Sequence, residues 1–308
     1  PIGKGDAAVR TVAPRAREWA SFRGPASTGI GDGFQPPTTW DMEKGPNIKG
    51  KTPIPGFTHS SPVIWGDKVY VTTAVSLKDT KLVFQHGRVG DDEGGGASAY
   101  TKDDTPHSWR VYALDKNTGK ILWQKVAHEG VPKTQRHVME SQANATPATD
   151  GQHVVAFFGS EGLYCYDTAG KLLWKNDSAK ASYGTPARVR IRDTDVVITP
   201  KGDVVRISDG KILADGLGNC MYASPVVQDN VVYFIESDIL AVRLPDQAAD
   251  QIQCQELWSG KLEGEFYASP LVEGGRIYTV DKDAHYYVLD AKTGKTILNK
   301  TLEFSRTA

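Results

Sequence analysis

One short pattern recurs five times along the chain and constrains everything else. A Ser-Pro or Thr-Pro pair opens an apolar strand, which turns at Gly, Asp or Asn into a second strand rich in β-branched and aromatic residues. The prolines are Pro62, Pro147, Pro186, Pro225 and Pro270. Three of the four spacings are close to forty residues, the length of one propeller blade (~40–50); the first is about one blade longer and implies an insertion. A second motif closes the unit. Val111–Asp115 leads through Thr118-Gly119-Lys120 into Ile121-Leu122-Trp123. Leu163–Asp167 leads through Gly170 into Leu172-Leu173-Trp174, and Tyr287–Asp290 through Thr293-Gly294 into Thr296–Leu298. An Asp at the start of a turn accepts backbone N–H bonds two residues on, and Gly supplies positive φ, so each is a hairpin.

Two hairpins per unit give a four-stranded antiparallel sheet that cannot bury both faces alone. Radial packing against neighbouring sheets solves this. The predicted fold is therefore all-β, a β-propeller with five visible blades. Its predicted layout is an N-terminal extension over residues 1–18, expected to be poorly ordered, and one domain over 19–308. The insertion in the first blade spans about 76–108. Thirty-one glycines and seventeen prolines fit many short strands joined by tight turns. Segment 36–55, with Trp40 and Ile48, reads as a lone outer strand of the kind that completes a last blade.

Composition removes several function classes. The formal net charge is -1, so no basic field draws nucleic acid or an anionic membrane. No apolar stretch is long enough to span a bilayer. Pro1 to Arg17 lack an apolar run of the signal-peptide kind, and a start without Met is what processing or trimming leaves. No GxSxG elbow, Walker loop or HExxH motif is present. The three cysteines, Cys165, Cys220 and Cys254, are far apart in sequence and read as small buried apolar residues.

The run Ala113 to Trp123 resembles the pyrroloquinoline-quinone (PQQ) type of propeller repeat. So do Trp19 to Pro25, Ile54-Pro55-Gly56 and His59 to Pro62, which look like a large bacterial branch of PQQ-like propellers. The resemblance spans roughly residues 19–304, and its relatives generally have seven or eight blades. It implies that each hairpin Trp docks onto the next blade. This sequence departs from the pattern in blades three and five, where Leu213 and Asn299 stand near the Trp position, and in blade four, where Pro245–Gln251 replace the Gly turn. It also implies a periplasmic or secreted location. The quinone enzymes of the family hold PQQ on the axis with Ca²⁺, a catalytic Asp, a stacking Trp and a disulfide between adjacent cysteines. This chain has no adjacent cysteines and is much shorter. No cofactor, neither PQQ nor Ca²⁺, is expected.

Function on such a scaffold belongs to its loops. The residue three before each repeat proline is His59, Asn144, Tyr183, Tyr222 or Tyr267. These equivalent positions precede the innermost strands and should ring the channel mouth with uncharged, hydrogen-bonding and aromatic groups. Arg136 and Glu140 precede Asn144 and join the expected ligand-binding set. His128-Glu129 and His137 lie in the same linker, and with His59 they are the candidate acid–base groups. The acidic cluster Asp91-Asp92-Glu93 with Asp103-Asp104 lies in the insertion and does not match a DxDxDG calcium loop. The leading expectation is a non-catalytic scaffold that binds a protein, peptide or glycan at its rim or mouth. The alternative is a carbohydrate-active lyase or hydrolase working through those histidines and the tyrosines.

Overall fold

The computed structural model describes residues 18–24, 27–31, 35–43, 45–78, 104–137 and 140–303. They form five four-stranded antiparallel sheets, each in simple sequence order. Blade one is β1 (Val63–Trp65), β2 (Lys68–Ser76), β3 (His107–Asp115) and β4 (Ile121–Gly130). Blade two is β5 (Ala148–Thr149), β6 (His153–Phe157), β7 (Leu163–Asp167) and β8 (Leu172–Asn176). Blade three is β9 (Ala187–Ile191), β10 (Thr194–Ile198), β11 (Val204–Arg206) and β12 (Ile212–Ala214). Blade four is β13 (Val226–Gln228), β14 (Val231–Ile235), β15 (Asp238–Arg243) and β16 (Gln255–Lys261). Blade five is β17 (Leu271–Glu273), β18 (Arg276–Val280), β19 (His285–Asp290) and β20 (Thr296–Thr301). The repeat boundaries read from the prolines hold in every blade.

Among the described residues the core is four separate seams, one between each pair of successive blades. The two-residue period of a strand sends alternate side chains to opposite seams. In β6, Val154 and Ala156 pack towards blade one with Trp109 and Val111, while Val155 and Phe157 pack towards blade three with Val197 and Val205. The same alternation places Val196, Ile198, Val232 and Phe234 in the third seam, and Tyr233, Ile235, Ile277 and Leu289 in the fourth. Cys165 and Cys220 are fully buried seam residues and Cys254 packs at the edge of one, all as thiols.

Two devices lock neighbouring blades. The first is the tryptophan. Trp123 Nε1 donates to Thr168 O at 3.1 Å, Trp174 Nε1 to Ile207 O at 2.7 Å and Trp258 Nε1 to Ala291 O at 3.0 Å. Each indole covers the turn glycine of the next blade. A Cβ on Gly170, Gly210 or Gly294 would meet it at 2.9, 2.6 or 2.5 Å. Glycine is needed there both for its positive φ and for this close approach. Blade three lacks the Trp, with Ala214 at the equivalent register position, and there the carbonyl of buried Leu213 accepts the N–H of Ile252 in blade four at 2.9 Å.

The second device explains the Ser/Thr-Pro signature. The N–H of Ser61 donates to Thr146 Oγ1 at 2.9 Å, and that of Thr146 to Thr185 Oγ1 at 3.1 Å. Thr185 N–H donates to Ser224 Oγ at 2.9 Å, and Ser224 N–H to Ser269 Oγ at 2.9 Å. The repeat hydroxyls of blades two to five each receive the backbone amide of the preceding blade, so a polar group at each of these seams is satisfied.

Two sequence expectations need correction or fall outside what is described. Segment 36–55 contains no strand among its described residues, and Trp40 is 63% exposed. Thr52 instead bonds the carbonyl of Gly119, at the kind of turn that a Trp covers elsewhere. The segment thus lies against the blade-one turn without a sheet to pair with. The 1–18 extension up to residue 17, residues 79–103 of the insertion, and with them Asp91, Asp92, Glu93 and Asp103, lie outside the described residues.

Candidate functional site

The hydroxyl chain fixes the backbone just ahead of each innermost strand, and so fixes the residue three before each proline. His59 N–H donates to Ala143 O at 3.2 Å and Tyr183 N–H to Met221 O at 2.8 Å, each reaching the next blade. Tyr222 is held more tightly. The Glu236 carboxylate accepts the N–H groups of Met221, Tyr222 and Ala223 at 3.0, 2.6 and 2.6 Å. The sequence-predicted positions do come together. The Tyr183 and Tyr222 rings stack at 5.7 Å and 5°, and Tyr267 meets Tyr222 edge-on at 4.8 Å. Tyr267 donates its phenol to Glu265, which also pairs with Lys282. These are offset and T-shaped arrangements favoured by aromatic quadrupoles. Tyr222 and Tyr267 remain 38% and 45% exposed, so the ladder presents ring surface to solvent.

The opposite side of the mouth is polar. Asn144 hydrogen-bonds His59, and its Oδ1 accepts the N–H and hydroxyl of Ser141, both at 3.0 Å. Burial lowers the pKa of His59, whose ring also meets Phe57 edge-on. The Asn144 bond opposes this, and the charge of Arg136 adds to it. Arg136 is buried, donates to Glu140 O at 2.7 Å and lies 5.9 Å from the Phe57 ring. Burial pushes the Glu140 carboxyl up to about 7, against a backbone bond from His137 and the charge of Arg136. Its Oε2 is buried with no hydrogen-bond partner among the described residues.

Between the two sides is a pocket of about 180 Å³. Arg136, Gln142, Asn144, Ser182, Tyr183 and Tyr222 are among its lining residues. Towards the axis the chain itself fills space. Trp19 pairs with Ile64 of β1, Ala20 O accepts the N–H of Thr149 in β5 at 2.9 Å, and Arg23 donates to Pro270 O. Ser21 and Ser27 on this segment are buried. One N-terminal segment thus ties the innermost edges of blades one, two and five.

Residues 107–247 and 234–300 match the family model described as outer membrane protein assembly factor BamB. The chain belongs to this family of PQQ-like propellers. No curated protein matches it. Solved structures are similar to it at low identity. BamB from Moraxella catarrhalis is 12% identical with a TM-score of 0.44, over 66% of this chain and 61% of that one. A europium-containing methanol dehydrogenase is 14% identical with a TM-score of 0.48, over 81% and 52%. Quinohemoprotein alcohol dehydrogenase from Comamonas testosteroni is 11% identical with a TM-score of 0.47, over 78% and 52%. The chain spans about half to three-fifths of the length of these proteins.

Among the described residues no three His, Cys, Asp or Glu side chains gather as metal ligands. Of the candidate histidines, His59 joins the Asn144–Arg136 cluster through its side chain. His128 sits on the seam of blades one and two, 5.2 Å from the Trp109 ring and 3.4 Å from Glu161. Glu161 is buried, and it also accepts the Lys133 N–H and the Ser160 hydroxyl. The neighbouring Glu129 of the His-Glu pair is not its partner. His137 contributes its carbonyl to Arg136 and the backbone bond to Glu140. Sequence reasoning missed Ser182 and Glu236. Ser182 is adjacent to a predicted tyrosine, and that offset was the available signal. Glu236 is fourteen residues from the amide it anchors, and nothing local marks it.

Proposed function

We propose that this propeller is a binding scaffold that holds a polypeptide partner at the mouth lined by Tyr183, Tyr222 and Tyr267. The exposed tyrosine ladder carries the reading. Rigid, amphipathic rings give large contact area at small entropic cost, and Glu236 pre-organises the central one. Membership of a family whose model is described as an assembly factor supports a protein partner, and an extracytoplasmic location is part of the same proposal. We assign it no PQQ and no Ca²⁺, and saturable PQQ binding would overturn that assignment. Panning the chain against displayed peptides, alongside a glycan array, tests the main reading. Peptides that bind wild type and fail on Tyr222→Ser support it. Binding confined to glycans contradicts it.

A catalytic reading rests on a different observation, the Glu140 carboxyl with a pKa of about 7 near Arg136. That value suits a general acid or base at neutral pH. Its test is product release from a panel of polysaccharides, abolished by Glu140→Gln.

A further inference from the structure

We infer that the groove at the outer rim between blades three and four is a docking slot for a tryptophan side chain, carried beside a basic residue on a partner polypeptide. The slot shares no lining residue with the mouth pocket and is independent of the tyrosine ladder.

The repeat itself shows what fits there. Trp123, Trp174 and Trp258 occupy one register position, opposite Ala113, Cys165 and Ala241 and next to a bulge. The equivalent position in blade three, opposite Val204, holds Ala214. The following blade differs in step, with Pro245–Gln251 where the other seams have a glycine turn. Leu244 corresponds to Ile207 and Ala291, whose carbonyls accept the Trp174 and Trp258 indoles. With no indole to serve it, the Leu244 carbonyl accepts Asn230 Nδ2 at 2.8 Å. The chain has thus replaced the polar partner but not the aromatic volume. Ala248 packs into this seam, yet a groove of about 580 Å³ stays open between Ala214 and the linker. Its apolar lining is Ile212, Leu213, Ala214, Leu217 and Ile252. A flat indole with one polar N–H suits a slot whose walls are apolar and whose rim is polar. The rim selects the neighbour. Asp250 is occupied by Lys211 at 2.7 Å and Arg206 at 2.9 Å. Asp215 is exposed, and its carboxylate makes no ion pair or hydrogen bond among the described residues. A Lys or Arg beside the tryptophan meets that open charge. An exposed pair adds little affinity, so it sets preference while the buried ring supplies binding.

The test titrates the whole chain with blocked peptides and follows NMR shifts of the Ala214, Leu217 and Ile252 amides. Acetyl-Ala-Trp-Lys-Ala-amide is compared with counterparts that carry Ala for Trp or Glu for Lys. Saturable shifts are expected for the first, with roughly tenfold weaker binding once the Trp is gone and several-fold weaker binding with the Glu. Asp215→Asn should remove the difference between Lys and Glu. Ala214→Trp fills the slot from within; it should leave Tm unchanged or higher and abolish the peptide shifts at Leu217 and Ile252. A lowered Tm for Ala214→Trp would mean that the slot does not match an indole and would overturn the inference. No shift from the Trp peptide, equal shifts with and without the Trp, or equal binding of the Lys and Glu peptides would overturn it too. So would self-association of the chain that Ala214→Trp abolishes, since the occupant would then be a second copy. Peptides selected on the tyrosine ladder should bind Ala214→Trp as they bind wild type, so the rim slot and the mouth fail separately.

Discussion

Replacing Thr185 with Val isolates the hydroxyl chain that the Ser/Thr-Pro signature encodes. The two side chains have nearly the same shape, and the position is 5% exposed, so packing is little changed. What disappears is Oγ1, the acceptor for the Thr146 N–H at 3.1 Å. Thr146 is itself 3% exposed, so its amide is left buried and unsatisfied. Such a group costs roughly 1–3 kcal/mol, more than the ~1 kcal/mol net worth of an ordinary hydrogen bond. At a urea dependence of about 2–3 kcal/mol/M the midpoint should fall by roughly 0.3–1.5 M. Thr185→Ser keeps the acceptor and should recover most of the loss. Ser61→Ala is the internal control, because no preceding blade donates to Ser61 among the described residues; it should change stability by less than about 0.5 kcal/mol. Equal midpoints for Thr185→Val and wild type, or equal losses at positions 185 and 61, would refute the argument that the hydroxyls join the blades.

Further outcomes follow from the same structure. Trp258→Ala should cost about 3–5 kcal/mol by urea unfolding, since the indole is 9% exposed and covers Gly294, whereas Trp40→Ala at 63% exposure should cost under about 0.5 kcal/mol. Gly210→Ala should destabilise through both its positive φ of 73° and a clash with Trp174 at 2.6 Å, measurable as a lowered thermal midpoint. Glu140 binds its proton more tightly folded than unfolded, with a carboxyl raised from 4.5 to about 7. Its contribution to stability is therefore complete below about pH 4.5 and is lost as pH rises through 7. After discounting for partial exposure the loss is roughly 1–2 kcal/mol. Glu140→Gln should flatten this part of the pH–stability profile and be the more stable protein at pH 8; parallel profiles would refute the assignment.

Much of the fold was legible because a propeller is built from local signals. Asp115 and Gly119 mark a turn by their own chemistry, and the Asp115 carboxylate does accept the N–H groups of Asn117 and Thr118 at 3.0 and 2.8 Å. The alternation in β6 announces two buried faces. The equivalence of five proline-anchored positions was enough to gather His59 with Asn144, and Tyr183 with Tyr222 and Tyr267. What stayed hidden depends on contacts between blades. The role of the repeat hydroxyls needs the neighbouring amide to be seen. Glu236 acts across a blade, and His128 finds Glu161 across a seam rather than the adjacent Glu129. The strand expected over 36–55 failed for a related reason. A strand needs a partner edge, and Thr52 meets the Gly119 turn instead.

The central functional claim is that the tyrosine ladder is a binding surface, and one affinity ratio tests it most directly. A peptide selected on the wild-type chain is titrated against wild type and against the double variant Tyr222→Ser, Tyr267→Ser, with Trp40→Ser as the surface control. Two exposed aromatic contacts predict at least a tenfold loss, about 1.4 kcal/mol, in the double variant and none in the control. A loss under twofold in the double variant, with its fold intact, would contradict the claim.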